Sequence, residues 1–154
     1  MKRVWKRRRV LAVASGGGHW VQLLRVLKAF DGHDVVLVTV NQAYREDADG
    51  RRVHIVRDAT RWDKLGLVVL ALQTLAIVLR ERPDVVFSTG AAPGCLAVIF
   101  SRLLGARTIW LDSIANVERM SASGRLVRRW CHLWLTQWEN VADADGAEYA
   151  GKVF

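Results

Sequence analysis

Cysteine and proline are almost missing from this chain, with two of each in 154 residues. So few prolines, in a sequence that is 51% hydrophobic and rich in leucine and valine, exclude a disordered or linker-built chain. The two cysteines, Cys95 and Cys131, lie too far apart in sequence and are too few for a disulfide-built scaffold. Neither has a second cysteine or a histidine at ligand spacing, apart from the adjacent Cys131 and His132, which form no site alone. They are expected to be buried reduced thiols of a cytosolic protein. No apolar core follows the basic start, so no signal peptide is expected. The longest apolar stretch, Leu65 to Leu79, falls short of the about 20 residues that span a bilayer. It reads as a helix packed on a sheet or lying in a membrane interface, and it is apolar nearly all round.

Several catalytic and cofactor motifs are absent as well. Gly16 and Gly18 fit the first half of a dinucleotide-binding G-x-G-x-x-G, but Val21 stands at the third glycine, and the second strand ends near Asn41 where an acid is needed. There is no G-K-[ST] for a P-loop and no G-x-S-x-G nucleophile elbow. No His, Cys, Asp or Glu spacing supports a metal. Neither a metal nor a dinucleotide cofactor is expected.

What the chain has in excess is positive charge, a net +8. Lys2, Arg3, Lys6, Arg7, Arg8 and Arg9 crowd the start, and Arg119, Arg125, Arg128 and Arg129 form a second group. Basic arms attract nucleic acid, anionic lipid or phosphorylated ligands. Trp5 lies inside the first run, which suits an anionic membrane surface. Residues 1–9 therefore read as a basic arm and 10–154 as a single domain. There is no helix-turn-helix, zinc motif or RNP-type aromatic sheet to favour nucleic acid.

The most informative segment is VLAVASGGGHWVQLLRVL, residues 10–27. Val10 to Ala14 forms a strand, Ser15, Gly16, Gly17 and Gly18 a turn, and His19 opens a helix. The first amides of such a helix lack partners and carry partial positive charge. Glycines let a ligand approach them, so the turn suits a phosphate or diphosphate, with His19 beside it.

Strands are expected at 10–14, 34–40, 53–56, 84–88, 106–111 and 133–137, with a short one at 151–154. Helices are expected over about 18–29 and 63–82, from the turn at 89–94 to about 104, and over about 124–130, and residues 41–52 read as an irregular connection. Strand and helix alternate, and the strands are continuous apolar runs. That pattern specifies an α/β, Rossmann-like doubly wound parallel sheet. Ligands of such sheets bind beyond the carboxyl ends of the strands. Those ends carry Ser15–His19, Ser88–Gly94 and Asp112–Ser123. Trp130, Trp134 and Trp138 read as helix end, strand and loop rather than as a helical stripe.

ASGGGH (residues 14–19), RPDVVFSTGAAPG (82–94), LDSIANVERMSASGRL (111–126) and LTQW (135–138) occur in that order. With these motifs the chain resembles the membrane-associated subunit of the two-chain N-acetylglucosaminyltransferase that elongates dolichol-diphosphate N-acetylglucosamine. It also resembles that subunit's bacterial exopolysaccharide counterparts. The VERMSASG stretch is the specific part. The resemblance implies the amino-terminal, acceptor-side half of a GT-B glycosyltransferase. A separate small catalytic subunit would bind the UDP-sugar, and the pair would act on a polyprenyl-diphosphate-linked saccharide at the cytoplasmic membrane face, with no metal. Eukaryotic members begin with a transmembrane anchor; the arm here implies peripheral binding instead. One Rossmann-like domain alone leaves its ligand rim open to water, where transfer competes with hydrolysis.

Roles follow for the rim. Ser15, Gly16, Gly17 and Gly18 are expected to hold the acceptor diphosphate. His19 donates to it, acts as general base on the acceptor hydroxyl, or merely caps the helix or packs on the loop. Thr89 and Gly90 contact sugar or diphosphate, or simply turn the chain. Asp112, Ser113, Asn116, Glu118 and Arg119 form the densest polar loop. There Arg119 suits a phosphate, and Glu118 either orients it, accepts a sugar hydroxyl or stays on the surface. Ser121 or Ser123 caps the next helix. Rival readings are a self-sufficient small enzyme on a soluble phosphorylated sugar, a basic nucleic-acid-binding module and a pure scaffold.

Overall fold

The computed structural model describes residues 6–154. Lys2, Arg3 and Trp5 of the expected arm lie outside them, while Lys6, Arg7 and Arg8 are exposed coil. Strands run over Arg9–Val13 (β1), Asp34–Thr39 (β2), Val53–Ile55 (β3), Val85–Ser88 (β4), Arg107–Leu111 (β5), Leu133–Thr136 (β6) and Glu148–Tyr149 (β7). They form one sheet in the order β3-β2-β1-β4-β5-β6-β7, and every pairing is parallel. The helices are Gly18–Val26 (α1), Lys64–Glu81 (α2), Ala91–Leu103 (α3), Ala122–Val127 (α4) and Glu139–Asp145 (α5). This is the doubly wound α/β arrangement, with strand order reversing between β1 and β4.

Alternation along the strands divides the core in two. Leu11, Val13, Val36, Val38, Val86, Trp110 and Trp134 pack with residues of α2 to α5. Val10, Ala12, Ala14, Val35, Leu37, Phe87 and Leu111 pack with Trp20 and Leu23 of α1. β-branched and aromatic residues suit strands buried on both faces.

α2 is fastened at its start by Asp63, whose carboxylate accepts the Gly66 amide at 2.9 Å. Four of its buried residues, Gly66, Leu70, Thr74 and Val78, recur every fourth position, and Glu81 follows one turn later. Full burial of Leu70 and Val78 stabilises by about 1.5–3 kcal/mol each. The opposite face stays bare: Leu65 is 74% exposed, Leu72 63%, and Trp62 just ahead of the helix 80%. None of the helices among the described residues is long and apolar enough to cross a membrane.

Some elements differ from expectation. Residues 41–52 are not irregular, because Gln42–Ala48 winds into 3-10 turns started by Asn41, whose side chain accepts the Ala43 amide. The last short strand is β7, not 151–154. Gly151 bends the chain at φ 105°, and the Val153 amide is taken by the Gln137 side chain at 3.0 Å. α5 has no counterpart in the expected elements. Trp20 is buried at 1% exposure and donates Nε1–H to Asp47.

An ionic cluster sits at the amino ends of the strands, opposite the rim. Arg9 opens β1, one residue inside the span expected for the arm. It donates to Asp34 at 2.8 Å, while Arg52 and His54 reach the buried Glu81 at 2.9 and 2.8 Å. The Arg9 hydrogen bond holds Asp34 below its ordinary pKa. Burial pushes Glu81 up, but bonds from Arg52 and His54 outweigh it and hold that carboxyl low as well. Cys95 is buried and Cys131 half-buried, both free; burial lifts their thiols to about 11 and about 12.

Candidate functional site

The loops after β1 and β4 flank the point where strand order reverses, the usual ligand crevice of open α/β sheets. Gly17 precedes α1 at φ 60° and ψ −132°, a conformation that favours glycine. No side chain caps α1, so its first amides face the rim. Gly90 precedes α3 at φ 134°, again without a side-chain cap, and Ala91 follows at φ 66°. A non-glycine residue in that region is strained, and such strain concentrates at functional sites. Gly94 lets α3 approach β4 closely, because a Cβ there would run into the Ser88 hydroxyl.

His19 and Thr89 tie the two loops together. Thr89 Oγ1 donates to the His19 carbonyl at 2.6 Å, and His19 Nδ1 lies 2.8 Å from the Thr89 carbonyl. A carbonyl oxygen only accepts, so Nδ1 carries the proton in this bond. In the neutral ring Nε2 then keeps its lone pair. Two uncapped helix starts and an oriented imidazole thus share one rim. Together they can bind an anion and accept a proton beside it.

The third loop, 112–121, is organised around Asp112, which is 1% exposed. Its carboxylate accepts from Trp110 Nε1 at 3.0 Å, Asn116 Nδ2 at 3.0 Å, the Ser121 amide at 2.7 Å and the Ser121 hydroxyl at 2.6 Å. These four donors occupy it, so Asp112 stands behind the rim and shapes the loop instead of facing a ligand. Ser121 also caps α4 by accepting the Gly124 amide at 2.9 Å. His19, Ala91, Ser113, Asn116, Ser121 and Ser123 line one depression of about 260 Å³. Glu118 and Arg119 are exposed and line a neighbouring hollow that shares Ala115 and Asn116. Neither makes a side-chain hydrogen bond among the described residues, so Glu118 does not orient Arg119. Ser15 and Gly16 are half-buried, and Gly17 and Gly18 exposed, in the first loop. Thr89 is fully buried, acting as a clamp. Among the described residues no group of three or more His, Cys, Asp or Glu could hold a metal.

Comparison with known proteins settles the lineage. The family model described as "Oligosaccharide biosynthesis protein Alg14 like" matches residues 52–153. The chain belongs to the Alg14 family. Among relatives, the "UDP-N-acetylglucosamine transferase subunit ALG14" of Eremothecium gossypii is 25% identical over 88% of this chain and 75% of its own. The subunit of the same name from Mus musculus is 21% identical over 88% and 77%. The fold is also that of MurG from Acinetobacter baumannii, with TM-score 0.73, 14% identity and 87% of this chain covered. UDP-GlcNAc 2-epimerase from Methanocaldococcus jannaschii follows at TM-score 0.68, 12% identity and 91% coverage. The chain spans 43% of each of those two solved chains. It therefore has the Rossmann-like, amino-terminal half of the GT-B fold. The Alg14 match takes in the β4–α3 and 112–121 loops; the glycine turn lies before it.

Side chains to which the sequence assigned no role at the site complete the rim. Gln22, 1% exposed, donates to the Gly18 carbonyl and Ser113 Oγ, both at 3.2 Å, and accepts from the Ile114 amide at 3.1 Å. It also accepts from Gln137, whose amide donates to the Asp112 carbonyl at 3.0 Å. Trp138 Nε1–H donates to the Ile114 carbonyl, Asn140 to the Val117 carbonyl, and Asp145 accepts the Met120 amide. Tyr44 reaches over the glycine turn and accepts the Gly17 amide at 3.0 Å. One signal was available in the sequence: Gln22 and Gln137 are uncharged polar residues among apolar ones in core elements.

Proposed function

We propose that this chain is the acceptor-side, membrane-recruiting subunit of a two-chain glycosyltransferase. It binds a polyprenyl-diphosphate-linked saccharide at the rim, and a separate UDP-sugar-binding chain closes the cleft and completes transfer. The observation that carries this is the convergence of two uncapped helix starts on His19. The diphosphate lies against the amides of α1 and α3, where helix dipoles favour negative charge. Arg119, exposed beside the rim, meets the outer phosphate or the saccharide. His19 Nε2 takes the proton of the acceptor hydroxyl as that oxygen attacks the anomeric carbon of the donor sugar and the bond to UDP breaks, and the Thr89 carbonyl steadies the imidazolium that forms. Asp112, Gln22 and Gln137 hold the loops in place. The names of the relatives, which make them subunits of a UDP-N-acetylglucosamine transferase, support the need for a second chain.

Membrane contact in this reading is peripheral, on the cytoplasmic face. The bare apolar face of α2, with Trp62 at one end, is flanked by Arg57, Arg61 and Lys64 and by Arg80 and Arg82 at the other end. That combination suits a helix lying in an anionic interface. The deciding experiment is reconstitution with a small UDP-sugar-binding chain that co-purifies with this one. The purified pair transfers sugar to a lipid-diphosphate acceptor, and neither chain alone does. Full turnover by the single chain would overturn the two-chain reading and favour the self-sufficient enzyme.

A further inference from the structure

An apolar groove of about 500 Å³ runs beside the rim on the α2–α3–α4 side of the sheet. Leu67 of α2, Ala92, Cys95 and Leu96 of α3, and Leu126 of α4 form its walls. Ser123 lines both this groove and the depression that holds His19, and Ala92 follows Ala91 of that depression directly in the chain. The groove therefore adjoins the depression beside the proposed phosphate site. Among the described residues its only charged lining residue is Arg61. Its outer wall, Leu126, is 66% exposed, and Leu67 belongs to the helix whose outer face is bare hydrocarbon.

Resting on the acceptor-site reading above, the geometry points to this groove as the seat of the first isoprene units of the acceptor. With the diphosphate at the α1 and α3 amides, the attached hydrocarbon must leave through a neighbouring surface. The groove is the apolar route that touches the site, and it removes the allylic end of the chain from water. Beyond Leu126 the chain continues along the apolar side of α2 towards the bilayer. The site thus recognises a linear isoprenyl diphosphate, both as a charge and as a hydrocarbon. Cys95, whose thiol burial holds at about 11, serves there as a small neutral wall residue.

The test compares binding of inorganic diphosphate and of farnesyl diphosphate to the full chain. Wild type and the double variant Leu96→Gln, Leu126→Gln are used. Leu126 is exposed and Leu96 half-buried, so the variant keeps its fold, which unchanged diphosphate binding confirms. The wild type is expected to bind farnesyl diphosphate at least about tenfold more tightly than diphosphate, as burial of a few methylene groups requires. The double variant is expected to lose that preference. Equal affinities in the wild type, or a preference that survives in the variant, would overturn the groove while leaving the diphosphate site standing. No binding of either probe would overturn both.

Discussion

The imidazole of His19 occupies the space that a Cβ on residue 90 would need: such an atom would stand 2.7 Å from His19 Nδ1. Gly90 is therefore required twice, by its φ of 134° and by the ring beside it. Gly90→Ala is expected to destabilise the fold by about 1–3 kcal/mol, from backbone strain and displacement of the ring. Adding His19→Ala removes the collision but not the strain, so the double variant recovers part of the loss. Urea unfolding of the three variants reads this directly, and strict additivity would contradict it.

His19→Ala alone removes the proposed proton acceptor. Transfer by the reconstituted pair is expected to fall about 10²–10⁴-fold, the usual range for a lost general base. Co-purification of the two chains stays unchanged. Wild-type turnover in this variant would take His19 out of the chemistry.

Asp112→Ala strips four donors of their acceptor. A loss of about 1–3 kcal/mol is expected from the buried groups left unpaired. Amide exchange at Ser121 should accelerate sharply, because that amide bonds to Asp112. Normal protection at Ser121 would show that the loop stands without it.

Acid should unfold the protein through the cluster opposite the rim. Asp34 and Glu81 are both held below their ordinary values in the folded state. The unfolded chain therefore binds protons more readily, and stability falls as pH drops. The loss begins near the ordinary values of 4.5 and 3.8 and continues down through the folded ones. Glu81→Gln should lower stability at neutral pH and flatten this acid limb. An acid limb of unchanged slope in that variant would exonerate Glu81.

Leu65→Glu with Leu72→Glu places two carboxylates on the bare face of α2. Both positions are exposed, so stability should change by less than about 0.5 kcal/mol per site. Flotation with phosphatidylglycerol vesicles should drop at least tenfold. Deleting residues 1–8 provides the comparison. If only the deletion weakens flotation, the basic arm makes the contact and α2 does not.

The positions of β1 to β6 were legible because each is a mostly apolar run, rich in β-branched or aromatic residues, between turn residues, and Gly17 and Gly90 announced their turns by residue type. The His19–Thr89 clamp was half visible. Both residues stood out, but their pairing depends on β1 lying beside β4, which no local pattern encodes. Asp112 reads as a ligand contact because carboxylates normally face water; only the fold brings Trp110, Asn116 and Ser121 around it. α5 escaped notice for a different reason. ENVADAD carries little apolar periodicity, and only Val141 of that helix is buried. The acidic residues that made it look like a loop include Asp145, which holds the Met120 amide.

The phenol of Tyr44 already sits on the Gly17 amide, steadied by stacking on Trp20 with ring centres 5.1 Å apart. Any newcomer to that amide must evict a hydroxyl and so exchanges one hydrogen bond for another. A single neutral acceptor gains nothing by the swap. An oxygen bearing full negative charge does, since a charge-assisted bond is roughly twice as strong. In the acceptor-side reading proposed above, Tyr44 would thus act as a doorkeeper, admitting ligands by charge before any sugar has been inspected.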